Sequence, residues 1–241
     1  MIPCLLQHKR TRAFSLTELL IAVLAIGLLS VLVFPSLAQA QRRARGTLCQ
    51  SNCGRIGLAF VAYSKDNDGQ FVPHAEQAKG LSNIDPKMAD VQKTWIALIS
   101  AASTEDLNKW RCPESTKHLG KECLGIGYTK LTEQKTPQSP RKISDIKNPS
   151  RTVVFGDAGT VANLVTEPDR WQAKSLGGGC VAPHFSIPRS ADWSTDPWRL
   201  VNRHEGSMNA VFADGHVEST RVSRIGFQYP ETDVRAHWDG H

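Results

Sequence analysis

The chain has 241 residues, 40% of them hydrophobic, and a formal charge of +6. That length fits one moderate domain plus an additional segment. Aliphatic residues crowd the N-terminus, and the remainder, rich in Gly, Pro, Ser, Asp and Asn with isolated Trp, has the composition of short strands and long loops, which excludes a helical bundle. The basic excess does not describe a nucleic-acid footprint: Lys9, Arg10 and Arg12 precede an apolar run, Arg42, Arg43 and Arg45 follow it, and without residues 1–13 the charge falls to +3.

From Leu19 to Ala38 no charged residue occurs. About 20 such residues span a bilayer core as a helix. Ala38-Gln39-Ala40 imitates the cleavage site of a secretory signal. The front of the run argues otherwise. A short basic leader ends at the small residue Ala13, the aromatic Phe14 follows, and the carboxylate Glu18 stands where the apolar run begins. An acid inside a membrane costs about 2.5–3.5 kcal/mol on insertion scales unless it has a partner. An ammonium group is the fitting partner. A cut between Ala13 and Phe14 creates an α-amine one helical turn from Glu18, and the pair selects a register between packed helices. Pro35, with Gly27 and Ser30 upstream, is expected to kink or loosen the helix.

Past the arginines, Cys49, Cys53, Ile56, Phe60 and Tyr63 recur at helical spacing and form one apolar stripe. Asp66 to Gly69 (DNDG) terminates it. A helix from Phe14 to about Ser64 is roughly 75 Å long, its first half in lipid and its second half packed on a sheet. Downstream the signals are those of strands. Arg151 to Phe155 reads as a strand ending at Gly156-Asp157, and MNAVFADGHVEST reads as a hairpin turning at Asp214-Gly215. Between them Val161 to Arg199, with its glycine run at 177–179 and Trp171, Trp193 and Trp198, reads as an irregular excursion.

The cysteines are Cys4, Cys49, Cys53, Cys112, Cys123 and Cys180. Loss of Cys4 with a leader leaves five, an odd count that leaves a thiol unpaired or pairs it between chains. No CxxC pair is present, which argues against a zinc ribbon. On the stripe, Cys49 and Cys53 are expected to act as small core hydrophobes. The alternatives are a bridge from one of them to Cys112, or a Cys112–Cys123 bridge across the intervening loop, and spacing does not decide the connectivity.

The segment AFSLTELLIAVLAIGLLSVLVFP resembles the prepilin N-terminal motif of type IV pilin-like proteins and type II secretion pseudopilins. The resemblance implies cleavage after Ala13, where the family usually has Gly, and N-methylation of Phe14. It makes Glu18 the fifth mature residue and Pro35 the twenty-second. Further on, CQSNCGRIGLAFVAYSKDNDG, WRCPES, NPSRTVVFGDAG and RHEGSMNAVFADGHVE follow in an order similar to pseudopilin-like proteins with a C-terminal H-x9-DG element, here His204 and Asp214-Gly215. The implied fold is α+β, a long N-terminal helix against a small antiparallel sheet with long loops. The implied organisation is a leader at 1–13, a transmembrane half-helix at 14–38, a periplasmic half-helix at 39–65 and a globular domain at 66–241.

The implied function is that of a structural fibre subunit, not an enzyme and without a cofactor. It sits in the inner membrane with a cytoplasmic leader and a periplasmic domain. Its partners would be prepilin peptidase, other pilin-like subunits and inner-membrane secretion components, with no nucleic acid. The alternative is a membrane-anchored extracytoplasmic binding protein or enzyme, for which an exposed Trp patch at 171–198 would be the ligand surface. Chemistry is scarce beside this. His184, His204 and His216 with Asp157 and Asp214 match no ligand spacing such as HExxH, and turn and strand roles account for them. Related major pseudopilins bind calcium in a C-terminal loop, but no dense Asp/Asn cluster stands there, and DNDG lacks the closing Glu of an EF-hand. No G-x-S-x-G, Walker or Rossmann pattern is present.

Overall fold

The structure is a computed structural model that describes residues 15–73, 95–103, 107–115, 124–132, 142–164, 167–173 and 184–238. Ala13, Phe14, Cys4, Cys123, Cys180 and the glycines at 177–179 lie outside the described residues. Helix α1 covers Leu16–Asp66. It opens on a capping box: the Thr17 N–H donates to Ser15 Oγ at 3.2 Å, and the Ser15 N–H donates to Glu18 Oε2 at 3.0 Å. It closes on DNDG, where Gly69, at φ +76°, donates its N–H to the Ser64 carbonyl at 2.7 Å.

Two compact units divide the chain, residues 1–41 and 42–241. In the first, α1 is apolar and bare. Its described large hydrophobic side chains from Leu16 to Leu37 are between 51% and 80% exposed. Pro35 lies inside α1 and does not end it. Ser30 Oγ donates to the Ile26 carbonyl at 2.7 Å and Ser36 Oγ to the Val33 carbonyl at 2.8 Å, so back-bonding hydroxyls flank the proline.

In the second unit, residues 42–66 of α1 bury the expected stripe. Cys49, Cys53, Ile56 and Phe60 are fully buried, and Tyr63 is half-buried. They face a six-stranded sheet of β1 (Ile126–Thr129), β2 (Val153–Thr160), β3 (His184–Phe185), β4 (Trp198–Leu200), β5 (Met208–Phe212) and β6 (Val217–Thr220). Its order is β3-β1-β2-β5-β6, with β4 also paired to β2. The pairings are antiparallel except β1 with β3, which is parallel. Every residue of β2 is buried. The Phe155 ring is the centre of an aromatic cluster, 5.5 Å from Phe60, 5.0 Å from Trp95 of α2 (Trp95–Ser103) and 4.9 Å from Tyr128. A short helix, α3 (Val222–Ile225), leads into a C-terminal segment that closes the unit, with the Val153 N–H donating to the His237 carbonyl at 2.8 Å.

Hairpin β5–β6 turns at Asp214-Gly215, as its sequence indicates, and sits directly on α1. Gly215 has φ +91°, and a Cβ there would lie 2.7 Å from Val61 Cγ2. Gly57 meets it from the helix side: a Cβ at Gly57 would lie 2.6 Å from the Gly215 carbonyl oxygen.

Two expectations need correction. Strand β2 does not end at Gly156-Asp157 but runs on to Thr160. A Gly-Asp pair reads as a turn because Asp ordinarily stays in water; here a buried arginine takes that place. The described part of the stretch from Val161 to Arg199 is also more ordered than an irregular excursion, since β3 falls within it and β4 begins in it.

Candidate functional site

Two places in the chain combine unusual chemistry with defined geometry. The first is the start of α1. Glu18 there serves as the reciprocal member of the capping box, so it holds the helix N-terminus as well as carrying charge. The Ser15-x-x-Glu18 spacing carries this capping role in the sequence itself. Among the described residues α1 is the helix long and apolar enough to cross a membrane.

The second place is buried where α1, β2 and the loop before β5 meet. Asp157, in the middle of β2, is wholly buried. Its Oδ2 accepts the Asn209 N–H from β5 at 2.8 Å and lies 3.3 Å from His204 Nε2; its Oδ1 lies 3.1 Å from Arg203 Nη1. Cys49 of α1 points its Sγ at Asp157 Oδ1, 3.4 Å away. Cys112 Sγ lies 3.4 Å from His204 Nε2. Local structure explains how Cys112 arrives. Asn52 Nδ2 donates to the Arg111 carbonyl at 2.6 Å, and Arg45 pairs with Glu114, so the 107–115 segment is tied along α1 on both sides of Cys112. His204 is held by a tight turn through Glu205-Gly206, its N–H donating to the Ser207 carbonyl at 2.8 Å.

The electrostatics of this cluster follow from burial and pairing. Burial would raise the Asp157 carboxyl, but the hydrogen bond from His204 and the charge of Arg203 outweigh it and hold the group below the usual carboxylate range. Burial would likewise lower His204, yet its hydrogen bonds to Asp157 and Cys112 push it up to about 10. The Cys112 thiol is driven well up, first by burial and then by its neighbours Cys49 and Asp157. Cys53 is also buried beside Cys49, and its thiol is raised despite the hydrogen bond between the two.

The other sequence candidates stand apart. Asp214 is exposed at the hairpin turn, where its Oδ1 accepts the His216 N–H at 3.1 Å and lies 2.6 Å from His216 Nδ1. His216 stacks on Phe212 with ring centroids 4.3 Å apart. His184 pairs with Asp196 at 2.9 Å, and Asp196 also binds Lys130 at 2.6 Å and Ser186 at 2.5 Å. The five histidine and aspartate candidates therefore occupy three separate locations. The His204–Asp157 pair and the cysteine stripe of α1, unrelated along the chain, are one cluster in space. The segments WRCPES, GDAG and RHEG each contribute to it.

Of the three tryptophans in the 171–198 region, Trp171 is buried and Trp193 half-buried in one cluster, whereas Trp198, also half-buried, lies apart with its ring 5.9 Å from His184. Trp171 and Trp193 lie 6.0 Å apart, and each packs on Phe227. The Arg199 guanidinium lies 3.7 Å over the Trp193 ring and 5.6 Å from that of Trp171. No family model, curated protein or solved structure matches the chain. Its long apolar N-terminal helix and small sheet are the elements a pilin-like architecture requires.

Proposed function

We propose that the protein is a pilin-like structural subunit, anchored in the inner membrane by the first part of α1 and assembled through that helix into a type II secretion pseudopilus or related fibre. The observation that carries this reading is the bare apolar surface of α1 from Leu16 to Leu37 with a single carboxylate, Glu18, in its first turn. Such a surface needs lipid or other helices around it. In this reading, prepilin peptidase cuts between Ala13 and Phe14, Phe14 is N-methylated, and its amine meets Glu18 of a neighbouring subunit. The globular unit is periplasmic and catalyses nothing. A membrane-anchored ligand-binding protein is disfavoured by the Trp171–Trp193 cluster, because the protein's own Arg199 occupies the cationic position such a cluster would offer a ligand.

The test separates charge from capping. Glu18→Gln keeps a capping-box side chain and removes the charge; Glu18→Ala removes both. Both variants should insert at least as well as wild type, measured by membrane fractionation, because an acid no longer has to be desolvated. Both should lose fibre, measured by shearing and crosslinking. An unpaired buried charge costs about 3–5 kcal/mol, an upper range at a membrane edge reached by water. Intact mass should show a chain starting at N-methylated Phe14. Fibre at wild-type levels in Glu18→Gln sinks the charge-register mechanism, and a mature protein starting elsewhere sinks the processing.

A further inference from the structure

We propose that Cys49, Cys112, Asp157 and His204 form a tetrahedral site for a thiophilic divalent cation of the Zn2+ class, a structural centre that locks the 107–115 segment and the loop before β5 to α1. The inference is independent of the fibre reading. One donor atom from each residue lies within 4.8 Å of all the others, and all four residues are buried. Three of the separations are 3.4 Å (Cys49 Sγ to Asp157 Oδ1), 3.4 Å (Cys112 Sγ to His204 Nε2) and 3.3 Å (His204 Nε2 to Asp157 Oδ2). Zinc bonds of about 2.0–2.3 Å place tetrahedral donors about 3.3–3.8 Å apart. The three separations fall at that spacing, with Cys49 facing one oxygen of Asp157 and His204 the other, and the four donors, all within 4.8 Å, draw in on the ion when it binds. Two sulfurs, one imidazole and one carboxylate are borderline-soft ligands that select zinc over calcium or magnesium.

The charges also close. Two thiolates and one carboxylate against Zn2+ leave one negative charge, and the buried Arg203 guanidinium beside Asp157 cancels it. The thiol protons and the His204 Nε2 proton leave to solvent on binding. Arg203 and the Asn209 N–H hold the carboxylate from behind, as outer-shell groups do for metal ligands. Access exists on one side. A cavity of about 210 Å³, lined by Gly46, Thr47, Gln50, Ser207 and Asn209, reaches His204. All four ligands come from distant parts of the chain, so no local motif such as CxxC announces the site.

The test uses the full chain, solubilised in detergent and reduced, titrated with Co2+ and then with Zn2+. One equivalent of Co2+ should give a sulfur-to-cobalt charge-transfer band and intense visible bands of a tetrahedral centre, and Zn2+ should bleach both. Cys112→Ser should lose the charge-transfer intensity in part and weaken zinc binding by at least about 100-fold, and Asn209→Ala, which keeps the backbone N–H but removes the side-chain Nδ2 donor 3.3 Å from Asp157 Oδ2, by about 10-fold. Cys53→Ser, outside the four convergent donors, should keep the wild-type spectrum. The wild-type titration needs no variant to fold. Absence of the charge-transfer band in the reduced wild-type chain overturns the site. So does an unchanged band in Cys112→Ser, a lost one in Cys53→Ser, or isolation of the native protein with Cys49 and Cys112 joined as a disulfide.

Discussion

Two glycines three residues apart on α1 should respond oppositely to the same substitution. Alanine is favoured over glycine in a helix interior by about 0.8–1.0 kcal/mol. At Gly54 nothing lies within 4 Å of an added Cβ, so Gly54→Ala should express that gain. At Gly57 the added atom would stand 2.6 Å from the Gly215 carbonyl oxygen and 3.0 Å from Val211 Cγ1. The obstructing oxygen cannot withdraw freely. It belongs to a turn fixed by the Gly215 N–H on the Phe212 carbonyl at 2.9 Å and the Phe212 N–H on the His216 carbonyl at 3.0 Å. Overpacking of this kind costs about 1–3 kcal/mol, and an obstacle of backbone places it in the upper part of that range. Because the propensity gain is common to both variants, their difference isolates the clash at about 2–3 kcal/mol. At about 2–4 °C per kcal/mol for a chain of this size, Gly57→Ala should melt about 4–12 °C below Gly54→Ala. The assay is thermal unfolding of the full chain in detergent, followed by near-ultraviolet circular dichroism of the buried tryptophans. If Gly57→Ala melts at or above Gly54→Ala, the hairpin turn does not rest on the helix at Gly57.

Three further outcomes are expected. Asp196 accepts hydrogen bonds from His184, Lys130 and Ser186; burial opposes its ionisation, but these partners hold its carboxyl far below the ordinary value. Its contribution is therefore fully present above the unfolded value of about 3.9 and is lost as the pH falls through the depressed folded value. Asp196→Asn should cost about 2–3 kcal/mol at pH 7 in urea unfolding, with the gap to wild type narrowing below about pH 4; a constant gap refutes the assignment. Arg199 is buried, with its guanidinium donating to the carbonyls of Trp193, Asp196 and Trp198. Arg199→Lys, which lacks the planar fork, should lose about 2–3 kcal/mol and change tryptophan emission, and wild-type stability in that variant would refute the role. Ser15→Ala should weaken the first turn of α1 by about 1 kcal/mol, seen as faster amide exchange at residues 16–19, and unchanged exchange would exclude the capping box.

Much of the scaffold was legible in the sequence because it rests on local periodicity. Cys49, Cys53, Ile56 and Phe60 declare a helix face at a period near 3.6, and Asp214-Gly215 between apolar runs declares a hairpin. Long-range pairing was not legible. Nothing in RTVVFGDAG indicates that Asp157 stays inside the sheet, since the group that permits it, Arg203, lies far along the chain. The parallel β1–β3 pair joins two short segments, Ile126–Thr129 and His184–Phe185, that lie on either side of β2 in the chain. The four-residue cluster was hidden for the same reason. Each member has an ordinary local explanation, and only the crossing of α1, β2 and the loop before β5 brings the donor atoms together. Glu18 is the reverse case: its local role, closing on the Ser15 N–H three residues back, is legible from spacing alone.

The stripe on α1 has a kinetic consequence. Its partners come late: Cys49 waits for Asp157, 108 residues further on, and His204 reaches Cys112 across 92. Contacts this non-local close slowly, because loop entropy must be overcome before burial rewards it. During synthesis the apolar face of residues 49–60 therefore emerges before its partners and is covered late. That exposed interval is the period in which the chain is most prone to associate wrongly. The hairpin near the C-terminus ends it by settling on Gly57.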